Sequence, residues 1–185
     1  MKIVGLNASP NEDGLTAGML AAALDGAAQA GADTQTVHLK TLELLACVQC
    51  DSGWGLCRKE GRCVIADGFQ ALREDLHAAD ALVISTPVYY GEIAEVAKNL
   101  LDRLRRCENA GPEDSPLAGI FVLGIAAAGG SGGGIVSCQQ VLERYAQHIG
   151  LRVFDMIPVT RRSRDYKIDT ARAAGKAMAW AAAED

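Results

Sequence analysis

No apolar run in this chain is long enough to cross a bilayer. The longest, Gly119–Ala128, falls well short of the ~20 residues that a spanning helix needs. There is no room for a secretory leader either, because strand-like sequence begins at Lys2. A basic stripe is missing too: 18 Lys and Arg face 23 Asp and Glu, for a net charge of −5, which argues against nucleic acid as a partner. Two nucleotide signatures are absent, G-x-x-x-x-G-K-[ST] and G-x-G-x-x-G. His38, His77 and His148 fall in strand or helix patterns with no partnering Ser or Cys motif, so nothing supports a hydrolase triad. These absences predict a soluble, cytoplasmic protein without a membrane partner. In that compartment the six cysteines read as thiols or metal ligands rather than disulfides.

What is present predicts one domain over residues 1–185, since a chain of this length with 49% apolar residues can bury a substantial core. Apolar runs suited to buried strands recur at Lys2–Leu6, Thr34–Leu39, Ala81–Thr86, Gly119–Ala126 and Leu151–Pro158. Helix-length segments lie between and after them, at Leu15–Ala30, Gly68–Ala79, Ile93–Arg106, Ile135–Ile149 and Thr170–Ala183. Strict alternation with near-continuous apolar strands predicts an α/β fold, a doubly wound five-stranded parallel sheet with helices on both faces. The expected strand order is 2-1-3-4-5, with a ligand crevice at the carboxyl ends of strands 1 and 3. Three loops belong on that edge: the cysteine-rich insertion Thr41–Ala66, the segment Thr86–Gly91 and the glycine-rich Ala127–Gly134. A phosphoacceptor receiver shares this topology but needs acidic residues where this chain has Asn7 and Ser85.

The segment Ser9–Thr16, S-P-N-E-D-G-L-T, joins the first strand to an alanine-rich helix. Backbone N–H groups and the dipole at such a helix start make an anion cradle, suited here to a single terminal phosphate. Ser9, Asn11 and Thr16 offer short polar side chains, and Gly14 is expected to permit the turn. The competing reading is that Ser9 or Thr16 simply caps the helix. In T-P-V-Y-Y-G, Pro87 bends the chain off the sheet and Gly91 relaxes the exit. Backbone donors at Val88, Tyr89 and Tyr90 then have a flat heterocycle to face, with a tyrosine against its edge or face. An isoalloxazine needs donors there because reduction places charge and a proton on its N5–O4 side. The plainer alternative is an ordinary turn with two half-buried tyrosines. The Ala127–Gly134 loop reads equally as backbone passing beneath a ring and as a flexible connection. Arg161, Arg162 and Arg164 read as a solvated loop rather than a 2′-phosphate site.

Taken together, the phosphate loop and T-P-V-Y-Y-G-E-I-A-E-V-A-K-N-L-L-D-R-L resemble the NADPH-dependent FMN reductase group of the flavodoxin-like fold. The family pattern G-S-P-R-K-N-G-N-T is matched at Ser9, Pro10, Gly14 and Thr16, while Asn11 and Leu15 replace a basic residue and an asparagine. The later T-P-x-Y-x-G and D-R elements are matched at Thr86, Pro87, Tyr89, Gly91, Asp102 and Arg103. The resemblance implies bound FMN, NAD(P)H as co-substrate, and a homodimer or homotetramer.

Cys47, Cys50, Cys57 and Cys63 are spaced x2, x6 and x5. Four thiolates in one loop suit a [4Fe–4S] cluster or a tetrahedral zinc, and they can equally remain unligated. The location resembles the cysteine-rich loop of iron–sulfur flavoproteins, whose middle spacing is x2 rather than x6. Cys107 and Cys138 read as isolated, buried small hydrophobes. The resulting expectation is an FMN-dependent NAD(P)H oxidoreductase passing electrons to a small acceptor such as a quinone, a flavin, or a nitro or azo compound. Pro87, Val88, Tyr89, Tyr90 and Gly91 would hold the ring and Ser9, Asn11, Gly14 and Thr16 the phosphate; no side chain is assigned as catalytic. The alternative is an iron–sulfur flavoprotein acting as an electron carrier.

Overall fold

The computed structural model describes residues 1–108 and 115–185. Five parallel strands, β1 (Lys2–Asn7), β2 (Asp33–His38), β3 (Ala81–Pro87), β4 (Phe121–Ala128) and β5 (Arg152–Thr160), form one sheet in the order β2-β1-β3-β4-β5. Six helices accompany it: α1 (Leu15–Gln29), α2 (Leu56–Glu60), α3 (Phe69–His77), α4 (Glu95–Cys107), α5 (Ile135–Ile149) and α6 (Arg164–Glu184). None of the described helices is long and apolar enough to cross a membrane.

Alternation along each strand sorts the apolar residues into two cores. Val4, Leu6, Leu82, Ile84 and Val122 meet α3, α4 and α5 on one face. Ile3, Ala81, Val83, Leu123 and Ile125 meet α1 and α6 on the other. On that second face the helices cross closely, because Gly26 and Gly175 let each backbone sit where the other's Cβ would be. A Cβ on Gly26 would lie 1.9 Å from the Arg172 carbonyl oxygen, and one on Gly175 the same distance from that of Ala23.

The expected strands and four of the expected helices lie within two residues of those observed. The last helix starts six residues earlier than Thr170, at Arg164. Its first turns are polar and carry little apolar period, and they begin where Ser163 and Thr160 exchange hydrogen bonds at the end of β5. The cysteine insertion is also not irregular throughout: it holds α2. The register sets Asn7 of β1 beside His38 of β2 and Ser85 of β3, so the loops leaving these strands emerge together.

Candidate flavin site and cysteine pocket

The Ser9–Thr16 loop leaves β1 at this shared edge. Asn7 is fully buried and braces it: its Oδ1 accepts from the Ser9 N–H at 3.0 Å, and its Nδ2 lies 3.0 Å from His38 Nδ1. Ser9 Oγ in turn accepts from the Asn11 N–H at 3.1 Å. Thr16 is buried, and its carbonyl accepts from Ser85 Oγ at 2.9 Å, which ties α1 to β3. Neither Ser9 nor Thr16 caps the helix. Gly14 is the N-cap and no side chain bonds the first turn, so among the described residues the N–H groups of residues 12–17 have no protein acceptor. An uncapped helix start is what an anion site requires. The reason expected for Gly14 does not hold, however. Its φ is −78°, and an added Cβ would meet only Asn11 Cβ at 3.5 Å, so the turn does not demand glycine.

The second loop is more strained. Thr86 is buried, accepts from the Ala94 N–H at 3.0 Å and donates to the Pro87 carbonyl at 3.0 Å, fixing the end of β3 to the start of α4. Val88 N–H is spent on Ala127 O, and Tyr89 and Glu92 exchange two bonds of 3.0 Å. Tyr90 and Gly91 sit at the corner with φ of 56° and 84°. Positive φ at both central residues is the signature of a type I′ turn, which suits Gly91 and costs energy at a tyrosine. Tyr90 is completely exposed and so is not the half-buried packing residue of the plainer alternative, whereas Tyr89 is 42% exposed. Of the expected backbone donors, Val88 and Tyr89 are already engaged; Tyr90 and Gly91 have no protein acceptor among the described residues. The glycine-rich loop closes against this corner: a Cβ on Gly134 would lie 2.6 Å from Gly91 Cα.

Both loops border one open cleft. Ala8 and Pro10 line it from the first, Tyr89 from the second, and Lys40, Glu43 and Leu44 from the chain leaving β2. Lys40 Nζ donates to the Pro10 carbonyl at 3.2 Å. Nothing in the sequence patterns singled out Lys40, because only the parallel pairing of β2 with β1 brings it to the phosphate loop.

Beyond Leu44 the chain enters the cysteine insertion. Cys47, Cys50, Cys57 and Cys63 line a single pocket together with Arg62, Arg103 and Arg106. The x6 gap folds back through three consecutive residues of positive φ, Asp51, Ser52 and Gly53, and Gln49 before Cys50 is left-handed as well. Gly55 permits the Cys50 sulfur to close in, since a Cβ there would lie 2.7 Å from it. Arg103, 1% exposed, secures the insertion from α4. It makes bidentate bonds of 2.6 and 2.9 Å to Asp67, donates to Leu45 O at 3.1 Å and stacks 4.2 Å over Phe69. Its Nε has no partner, although the Cys63 thiol lies against the guanidinium. Burial opposes the Asp67 carboxylate, but Arg103 and the N–H groups of Leu45 and Phe69 hold its pKa below the ordinary value. Arg106 donates to Gly53 O and stacks 4.7 Å over Trp54. Cys138 is buried as expected. Cys107 is buried but not isolated: it lines the same pocket, and burial pushes its thiol up to about 12. Among the described residues no three ligand-type side chains are arranged to hold a metal ion. The four thiols share a pocket without forming a finished metal site.

The chain is similar to several known flavoproteins. An iron–sulfur flavoprotein of Methanocaldococcus jannaschii is 27% identical over 97% of this chain and 96% of its own length. A flavone reductase structure superposes with a TM-score of 0.77 at 20% identity, covering all of this chain and 64% of the other. A flavodoxin from the domain Archaea superposes with a TM-score of 0.64 at 14% identity, covering 99% of each chain. A family model described as NADPH-dependent FMN reductase matches residues 1–162. The chain therefore belongs to the NADPH-dependent FMN reductase family, as an FMN-dependent oxidoreductase of flavodoxin-like fold.

Proposed function

We propose that this protein takes hydride from NAD(P)H and reduces a small acceptor, a quinone, a free flavin, or a nitro or azo compound, at an FMN held between the Ser9–Thr16 and Thr86–Gly91 loops. The observation that carries the reading is a pair of donor sets without protein acceptors among the described residues, the uncapped first turn of α1 and the N–H groups of Tyr90 and Gly91, on two loops whose Pro10 and Tyr89 line one cleft. When bound, FMN supplies the hydride and electron chemistry, and the protein supplies position and electrostatics. The first turn of α1 and the Thr16 side chain hold the phosphate, Ser9 shapes the loop through Asn11, and the Tyr90–Gly91 corner presents N–H donors to the polar edge of the ring. Tyr89 lines the cleft, and Tyr90, exposed beside it, is available to cover ring or substrate. Nicotinamide and acceptor take turns at the open side. The protein is cytoplasmic and acts as one domain. A homodimer or homotetramer, with the partner's surface near Tyr90, shields the flavin. A test is titration of purified protein with FMN and riboflavin, followed by steady-state NADH and NADPH oxidation. Equal affinity for the two flavins, or no turnover with any acceptor class, would refute it.

A second reading is favoured by the cysteine pocket. Four thiols and the unpartnered Nε of Arg103 around one space suit a [4Fe–4S] cluster, with zinc or free thiols as the competing states. Cys47, Cys50, Cys57 and Cys63 would hold such a cluster, and the protein would then carry single electrons. Iron and acid-labile sulfide analysis of anaerobically prepared protein decides between them, and metal-free protein with several titratable thiols rules the cluster out.

A further inference from the structure

The phosphate loop brings no cation of its own. Residues Ser9–Thr16 contain two carboxylates, Glu12 and Asp13, and no Lys or Arg. The cleft beside the loop adds Glu43 and Glu95, and Lys40 is the single cation among its described lining residues. A phosphate dianion placed there would meet backbone dipoles and an excess of negative side-chain charge.

Lys40 is positioned by the fold rather than by the loop. Asn7 pairs with His38 in the sheet, their side chains meet at 3.0 Å, and the fully buried Leu39 anchors the next residue. Two residues past that register pair, Lys40 donates to the Pro10 carbonyl at 3.2 Å. An ammonium therefore lies against the loop that leads into the uncapped helix start and on the wall of the cleft. Its bond to a neutral carbonyl leaves two further donors and the full charge for another acceptor. We propose that Lys40 supplies the counter-charge for the FMN phosphate, so that the chain leaving β2 replaces the basic residue missing from the loop. The inference rests on the flavin reading above and adds a residue that selects the phosphorylated flavin.

The test is fluorescence titration of the full-length apoprotein with FMN and with riboflavin. Lys40 is exposed, so Lys40→Gln should fold normally, and glutamine retains an N–H donor for Pro10 while removing the charge. Expected is about tenfold weaker FMN binding with riboflavin unchanged. Lys40→Arg should restore most of the loss, and Glu12→Gln, which removes a repelling charge, should tighten FMN a few-fold. The FMN affinity of the wild type should also fall more steeply with salt than that of Lys40→Gln. If the wild type prefers FMN and Lys40→Gln prefers it equally, or if both flavins weaken together, the Lys40 role is overturned and the phosphate cradle survives. If the wild type binds both flavins alike, the cradle reading itself falls, and this inference with it.

Discussion

Among the described residues, the Ser9–Thr16 and Thr86–Gly91 loops leave backbone N–H groups without protein partners, while the cysteine insertion is fixed by side chains: Arg103 on Asp67 and Leu45, Arg106 on Gly53 and Trp54. These two loops are short and spring from strand ends that the sheet already holds in register. The insertion is long, contains a run of left-handed residues and would have no fixed path without α4. Recognition through backbone atoms tolerates side-chain exchange and suffers when the chain path changes. A pocket assembled by buried side chains has the opposite sensitivity.

The largest expected effect breaks the side-chain half of this contrast. Asp67→Ala strands the buried Arg103 charge and should cost about 3–5 kcal/mol in urea unfolding. The carboxyl pKa is lowered by folding, so the contribution is complete above the unfolded value near ~3.9 and is lost as pH falls through the folded value. The gap between wild type and variant should therefore persist at neutral pH and close only in acid. Next, Thr16→Ala should weaken FMN binding by about 1.5–3 kcal/mol, the range for a hydrogen bond to a charged group, while riboflavin affinity measured in parallel stays constant. A smaller loss of about 1–2 kcal/mol in thermal stability is expected for Gly134→Ala, because φ is 79° and the new Cβ would press on Gly91. That variant should also disturb flavin binding, since the Tyr90–Gly91 corner must move. Smallest of all, Gly14→Ala should change stability by less than about 0.5 kcal/mol, because backbone and space both accept alanine. A large destabilisation there would show that the first turn needs glycine after all.

The strand order and the positions of the Ser9–Thr16 and Thr86–Gly91 loops were legible because apolar runs, Pro87 and the helix-start residues are local signals that the sheet does not override. Gly14 shows the limit: a glycine in a loop suggests positive φ, yet in these two loops positive φ falls at Gly91, which accepts it, and at Tyr90, which is strained by it. Tyr90 gave no warning, since nothing local marks a tyrosine for the left-handed region. Lys40 and Arg103 were hidden for another reason. Their roles depend on partners far away in sequence, Pro10 and Asp67, which only strand pairing and helix packing bring near. The fold of the cysteine insertion was illegible because its residues carry no apolar period, and its path is set by arginines on another helix.

One consequence follows from α4. It starts just after Thr86 fixes the ring-side loop and ends among the thiols, with Arg103, Arg106 and Cys107 on its last turns. At 1.5 Å per residue, the eight steps from Glu95 to Arg103 amount to ~12 Å along a stiff rod. The helix thus acts as a gauge block between the Thr86–Gly91 loop, the proposed ring side of the flavin site, and the pocket of thiols. An insertion or deletion within α4 would alter that spacing and rotate the thiol side out of alignment, even with every contacting residue retained.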